Sequence, residues 1–83
     1  MKVEIYYEAP DTQVLELSEG QDELWIDYSS KLERAREIRV ATGWSEEATK
    51  AYNEADRAYE TFLDSINLDL EHPDLEVDEV IEW

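Results

Sequence analysis

Hydrophobic and polar positions alternate at the start of the chain. Val3, Ile5 and Tyr7 are interleaved with Glu4, Tyr6 and Glu8, a period-two pattern that predicts a half-buried strand. Pro10-Asp11 supplies turn chemistry and Gln13 to Leu17 reads as a returning strand, so this end of the chain predicts a β-hairpin.

The period then lengthens. Leu24, Trp25, Tyr28, Leu32, Ala35 and Ile38 fall on one helical face, beginning at Ser18 or Asp22 and stopping at Gly43, a residue suited to the left-handed position after a helix end. Ser45 then predicts the N-cap of a second helix. Glu46 and Glu47 occupy its first turn, where the helix dipole favours anions, and Ala48, Ala51, Tyr52, Ala55, Tyr59, Phe62, Leu63 and Ile66 form its apolar stripe. The short Gly43-Trp44 link predicts that the two helices pack antiparallel.

Two stretches admit more than one form. Leu24, Ile26 and Tyr28 also fit a third strand, after a turn at Ser18-Glu19-Gly20-Gln21 and with Ser30-Lys31-Leu32-Glu33 as the capping box of a later helix. The end of the chain, 67–83, carries Leu68, Leu70, Leu75, Val77, Val80, Ile81 and Trp83 among acids, with Pro73 as a break. It fits a strand joining the sheet, a short helix after Pro73, or a segment that orders on binding. The expected fold class is therefore α+β. An N-terminal hairpin of two or three strands packs on an antiparallel helical hairpin, with a C-terminal strand or short helix, all in a single domain spanning 1–83.

Composition supports a folded chain and removes several chemistries. An apolar fraction of 42% with three Trp, five Tyr and one Phe in 83 residues suffices for one core. The absence of Cys excludes disulfides, thiolate nucleophiles and Cys-ligated zinc. No stretch approaches the roughly 20 apolar residues of a membrane span, and Met1-Lys2-Val3-Glu4 does not open a secretory signal. A cytoplasmic location is expected.

Charge changes the picture most. Twenty-three acids against seven bases give a net charge of −16, a self-repulsion that opposes compaction. It is unevenly distributed. Val3 to Ser30 contains eight acids and no base, and Ala58 to Trp83 contains nine acids and no Lys or Arg. Lys31 to Arg57 balances six of each. In an antiparallel helical hairpin the row Glu19, Glu23, Asp27 and the row Asp56, Glu60, Asp64 fall at one end, with all Lys and Arg except Lys2 toward the other. Like charges four apart on a helix cost about 0.2 to 0.5 kcal/mol per pair, and helix C-termini prefer cations. That local cost favours a functional surface over generic solvation, the reading that would hold for a chain from a salt-rich proteome.

Carboxylates four apart on a helix lie roughly 6 Å apart. Successive phosphates of one DNA strand rise 3.4 Å along the axis and sit at a comparable separation in space. Rows of Asp and Glu can therefore stand in for a phosphate backbone before a protein whose Lys and Arg are set to read DNA. The candidate partner-binding residues are Glu19, Glu23, Asp27, Asp56, Glu60 and Asp64 on the helices, joined by Asp74, Glu76, Asp78, Glu79 and Trp83 at the end of the chain. In size, acidity and aromatic content the chain resembles phage-encoded DNA mimics that block restriction or CRISPR nucleases, and acidic immunity proteins that cap nucleases. It carries no signature of colicin-type immunity proteins.

That resemblance implies a DNA-mimic inhibitor with anti-restriction or anti-CRISPR action. Its partner would be the basic groove of a nucleic-acid-binding protein, a nuclease or a defence complex, with no direct contact to nucleic acid or membrane. The alternative is an acidic antitoxin, immunity or adaptor protein gripping one protein through its hydrophobic tail. In that case loss of Leu75 to Trp83 removes binding and leaves the helices folded. Val80, Ile81 and Trp83 also fit the seal of a homodimer.

The aromatic residues divide between these roles. Tyr52, Tyr59 and Phe62 have core spacing, whereas Tyr6, Trp44 and Trp83 are candidate anchors, Trp and Tyr being prominent in binding hot spots. Neither a metal site nor a cofactor is expected. His72, in Glu71-His72-Pro73-Asp74, has no ligand spacing, and Asp69 to Glu79 lacks the Gly and alternating ligands of an EF-hand loop. No nucleophile elbow, phosphate loop or His-based triad is present, so catalysis is not expected either.

Overall fold

A computed structural model describes residues 1–8 and 10–83. The elements follow in the order β1 (Lys2–Tyr7), β2 (Thr12–Glu16), α1 (Glu19–Thr42), α2 (Glu46–Ile66), a 3-10 turn (Asn67–Asp69) and β3 (Val77–Glu82). The three strands form one antiparallel sheet in the order β2-β1-β3, and the fold is α+β.

The alternation in β1 decides where the helices go. Val3, Ile5 and Tyr7 are buried and cluster with Leu17, with Trp25 of α1, and with Phe62 and Ile66 of α2. Both helices therefore cover one face of the sheet. The other face carries Glu4 and Tyr6, with Val14 and Ile81 across from Glu4 in register. Residues directly opposite in an antiparallel pair share a face, so Val14, Glu4 and Ile81 form a row on the uncovered side.

The residues from 18 to 30 are helical throughout, which overturns the third-strand reading. Ser18 is the N-cap. Its hydroxyl accepts from the Gln21 N–H at 3.3 Å, and the Gln21 side-chain carbonyl accepts from the Ser18 N–H at 3.0 Å, completing a capping box. The segment expected to turn is thus a helix start, and Ser30 sits mid-helix. Trp25, Tyr28 and Leu32 lie one turn apart, so burying them together requires the helical period. At the far end Gly43 adopts φ +68° and its N–H donates to the Arg39 carbonyl at 2.7 Å, the left-handed stop that glycine allows without a Cβ clash. Ser45 then caps α2, accepting from the Ala48 N–H at 3.1 Å.

Small residues set the helix pairing. Ala35, Ala48, Ala55 and Ala58 are buried where α1 meets α2, which lets the backbones approach closely. At 1.5 Å per residue the 24 residues of α1 run about 36 Å, against about 20 Å for the six residues of β1. The tip of the helical hairpin therefore extends beyond the sheet, and Val40 and Trp44 are exposed there.

The last residues belong to the sheet. β3 pairs with β1, and Leu75, Val77 and Val80 pack against the core. Of the three forms open to this segment, the strand is the one adopted. Removing Leu75 to Trp83 would withdraw a strand and its apolar contacts, so truncation does not separate binding from folding. Among the described residues no helix is long and apolar enough to cross a membrane.

Two glutamines fasten the connections. Gln21, besides its capping role, donates to the Ser65 carbonyl and to the Asp69 carboxylate, each at 3.0 Å, tying the start of α1 to the end of α2. Gln13 of β2 accepts from the Tyr7 hydroxyl at 2.7 Å and the Glu71 N–H at 2.8 Å, and donates to the Asp69 carbonyl at 3.0 Å. These bonds lead the chain across the end of the sheet toward β3.

Candidate functional site

The buried stripe of α2 separates an acid-rich flank from a charge-balanced one. On the flank toward β3, a groove of about 620 Å³ is lined by Trp25, Tyr28, Asp56, Tyr59, Asp78 and Glu79, among others. It continues past Tyr59 into a second groove that holds Glu60, Asp64 and Glu76 beside Leu63, Leu70 and Leu75. The second groove has no Lys or Arg in its lining; the first has Arg36 at its α1 side. On the other flank Asp27, Lys31, Glu54 and Arg57 line one groove together. There Asp27 is paired to Lys31 at 2.9 Å, one helical turn away.

The acids predicted as one surface are therefore sorted by the fold. Asp56, Glu60 and Asp64 meet Glu76, Asp78 and Glu79 along the seam between α2 and the last strand. Asp74 lies exposed in the turn that precedes β3, a turn closed by Leu75 N–H donating to the His72 carbonyl at 3.0 Å. Glu19 and Glu23 are exposed on the first turns of α1, on the side turned away from Trp25 and Tyr28. Asp27 is offset toward α2 and shares its groove with two bases. The two rows do fall at one end of the helical hairpin, but on different faces.

Trp83 is exposed and stands on the uncovered face of the sheet, where the Lys2 ammonium lies 5.4 Å from its ring, a cation–π contact. Tyr6 is half-buried on that same face, opposite Glu79 and Thr12. Trp44 stacks against Tyr52 at 5.4 Å with the Arg39 guanidinium beside both rings, so it closes the helical turn. Phe62 is fully buried, whereas Tyr52 and Tyr59 are only partly so. His72 packs edge-on against the Tyr7 ring at 5.4 Å, 4.0 Å from the Asp11 carboxylate.

No protein family, characterised protein or solved structure matches this chain. The site is accordingly read from its own chemistry.

Three aromatic rings line the first groove. Tyr28 and Tyr59 are 4.9 Å apart, and Trp25 lies 5.3 Å from Tyr28. Burial pushes the Tyr59 phenol up to about 12, helped by Tyr28, Glu79 and Asp78, and burial with the nearby Asp56 raises Tyr28 against the opposing pull of Arg36. Both phenols stay neutral donors at physiological pH. Aromatic faces bordered by carboxylates form a surface complementary to a guanidinium or ammonium, which gains from ring and charge together. Sequence reasoning placed Tyr59 in the core and gave Tyr28 only an apolar-face role. The signal for more was present in Asp56, three residues and so about one helical turn before Tyr59.

Proposed function

We propose that this chain is an acidic DNA-mimic inhibitor that occludes the nucleic-acid-binding groove of a basic protein, of the anti-restriction or anti-CRISPR kind. It acts by binding and not by catalysis. The observation that carries the reading is the acid-rich seam formed by Asp56, Glu60, Asp64, Glu76, Asp78 and Glu79, with Arg36 as the base in its lining. On the opposite flank of α2, Glu54 shares its groove with Arg57 and with the Asp27–Lys31 pair of α1, so the seam is not a uniform consequence of net charge. Successive carboxylates on α2 lie roughly 6 Å apart, a spacing that a row of phosphate-binding Lys and Arg can follow. Binding would release counterions from both surfaces and weaken as salt rises.

The test is capture on the immobilised chain from bacterial lysate, eluted by a salt gradient and by added duplex DNA. A nuclease or other DNA-binding protein displaced by both, and lost when the six seam acids are changed to lysine, supports the reading. Retention of the same capture by that variant refutes it. A second reading, an antitoxin or adaptor gripping one protein, is favoured by the exposed Val14, Ile81 and Trp83 on the uncovered sheet face. It predicts a capture indifferent to DNA and salt and lost in Ile81→Glu.

A further inference from the structure

β3 is an edge strand. It bonds to β1 on one side, and among the described residues no further strand lies on the other. The register tells which backbone groups are left over. The Trp83 N–H donates to the Lys2 carbonyl at 3.0 Å, and Val3 pairs with Glu82, Glu4 with Ile81 and Ile5 with Val80. Hydrogen-bonded and non-hydrogen-bonded pairs alternate in an antiparallel ladder, so Trp83, Ile81 and Glu79 turn their peptide groups toward β1. Val80 and Glu82 turn theirs outward. The β2 side agrees: Leu17 N–H donates to the Met1 carbonyl at 2.8 Å, which points the groups of Val3 and Ile5 toward β2 and leaves those of Lys2, Glu4 and Tyr6 for β3.

Exposed edges invite pairing with another strand, and across such a pair opposite charges are favourable while like charges are destabilising. Glu76, Asp78, Glu79 and Glu82 lie in or beside β3 with no base among them. A second copy would set acids against acids, and like charges directly opposite are destabilising. A basic strand meets the reverse condition. Asp78 is also the extra residue at the register shift opposite Tyr6 and Tyr7, so its carboxylate sits at an irregularity that locally raises the twist of the strand.

The two sides of this edge differ. Toward the helices lies the groove of Tyr28, Tyr59, Asp56 and Asp78. Toward the uncovered face stand Ile81 and Trp83. An added strand alternates its side chains between these sides.

We propose that the free edge of β3 accepts an extended basic segment of the partner as a fourth strand. Its arginine or lysine side chains enter the groove at Tyr28 and Tyr59, and its apolar side chains cover Ile81. This rests on the acidic-inhibitor reading and specifies how the basic partner engages. Main-chain hydrogen bonds supply affinity and the alternating sides supply selectivity, as in other strand additions.

The probe is a synthetic peptide of alternating arginine and valine, compared at low salt with a peptide of the same composition interrupted by prolines. Binding is followed by calorimetry and by hydrogen exchange at the Val80 and Glu82 amides. The expected result is at least about tenfold tighter binding of the uninterrupted peptide, with both amides protected. Glu82→Pro removes an outward N–H while Glu82→Gln removes only the charge, and proline is tolerated on an edge strand whose N–H faces solvent. The proline variant should bind about tenfold more weakly than the glutamine variant, the effect of leaving one backbone acceptor of the added strand unpaired. Equal, salt-sensitive binding of both peptides with unprotected amides overturns strand addition and leaves the acidic seam standing. Failure of both peptides to bind overturns both ideas, and self-association of the chain that Glu82→Pro abolishes assigns the edge to a second copy and overturns the proposal.

Discussion

The two flanks of α2 are built from one helix and bury against one core, yet they treat charge in opposite ways. Toward α1, Asp27 is paired with Lys31 and shares its groove with Glu54 and Arg57. Toward β3, Asp56, Glu60 and Asp64 face Glu76, Asp78 and Glu79 with Arg36 as the one cation in the two grooves. If acidity served hydration alone, interspersed signs would suit both flanks. On the β3 side acids face acids with one base beside them, whereas on the other flank acids and bases alternate within one groove.

The largest expected effect breaks the comparison at its root. Phe62 is fully buried between the flanks and contacts Trp25 with ring centroids 5.1 Å apart. Phe62→Ala should lower the free energy of unfolding by about 3–5 kcal/mol and, in a chain this short, leave little native population in a urea titration. Intact cooperative unfolding at the parent midpoint would show that the helices do not depend on this core.

Next comes the seam itself. Changing Asp56, Glu60, Asp64, Glu76, Asp78 and Glu79 to lysine should weaken capture of a basic partner by on the order of a hundredfold or more, since like-charge juxtaposition costs several kcal/mol. Three reversals away from the seam, at Glu19, Glu23 and Glu37, should cost much less. Equal losses from the two sets would dissolve the distinction between the flanks.

Single substitutions should then move stability in opposite directions. Asp64 stands in the last turns of α2, where no base answers the helix dipole, and it lies four residues from Glu60. Asp64→Lys should raise stability by about 0.5–1 kcal/mol. Asp27→Asn removes a solvent-exposed pair and should lower it by about 0.5 kcal/mol or less. Thermal unfolding of the two variants reads the sign directly, and a loss at Asp64 would contradict the claim that the seam is held against stability.

The smallest effect appears only in alkali. The fold raises the Tyr59 phenol from its ordinary 10.0 to about 12, first through burial and then through Tyr28, Glu79 and Asp78. A raised pKa means the folded chain holds the proton longer than the unfolded one. The associated stability is fully present below pH 10 and is lost as pH rises from about 10 to about 12. Phenolate absorbance should show a late-titrating tyrosine that disappears in Tyr59→Phe, and that variant should lose part of the alkaline fall in stability.

Much of this architecture is written locally. The alternation of Val3, Ile5 and Tyr7 placed β1 and its buried face; Ser45 and Gly43 bounded α2 and α1; the stripe ending at Ile66 identified the second helix. Each depends on neighbours a few residues apart, which is the range over which propensity and capping act. The start of α1 was ambiguous because Leu24, Ile26 and Tyr28 satisfy period two while Trp25, Tyr28 and Leu32 satisfy the helical period. The long-range bonds of Gln21 to Ser65 and Asp69 belong to the helical solution alone.

The site was legible as a set of residues and not as a surface. Spacing by four put Asp56, Glu60 and Asp64 in a row, and Glu19, Glu23 and Asp27 in another. Spacing does not say how each helix rotates about its axis against its neighbours. That rotation follows from burying Trp25, Phe62 and Ile66 on one sheet while Ala35 and Ala55 close the helix pair, and it turns Glu19 and Glu23 away from α2 and sets Asp27 and Lys31 in one groove with Glu54 and Arg57.

By itself, then, the sequence determined the N-terminal hairpin, the second helix, the helix stop at Gly43, the buried face of β1 and the excess of acid at both ends, because these follow from periods, caps and counts. Only the tertiary structure decided that the last strand joins β1, that its acids run beside those of α2, and that Tyr28 and Tyr59 border them. Strand order and helix rotation are set by contacts between residues distant in the chain, and those contacts are chosen by packing one shared core.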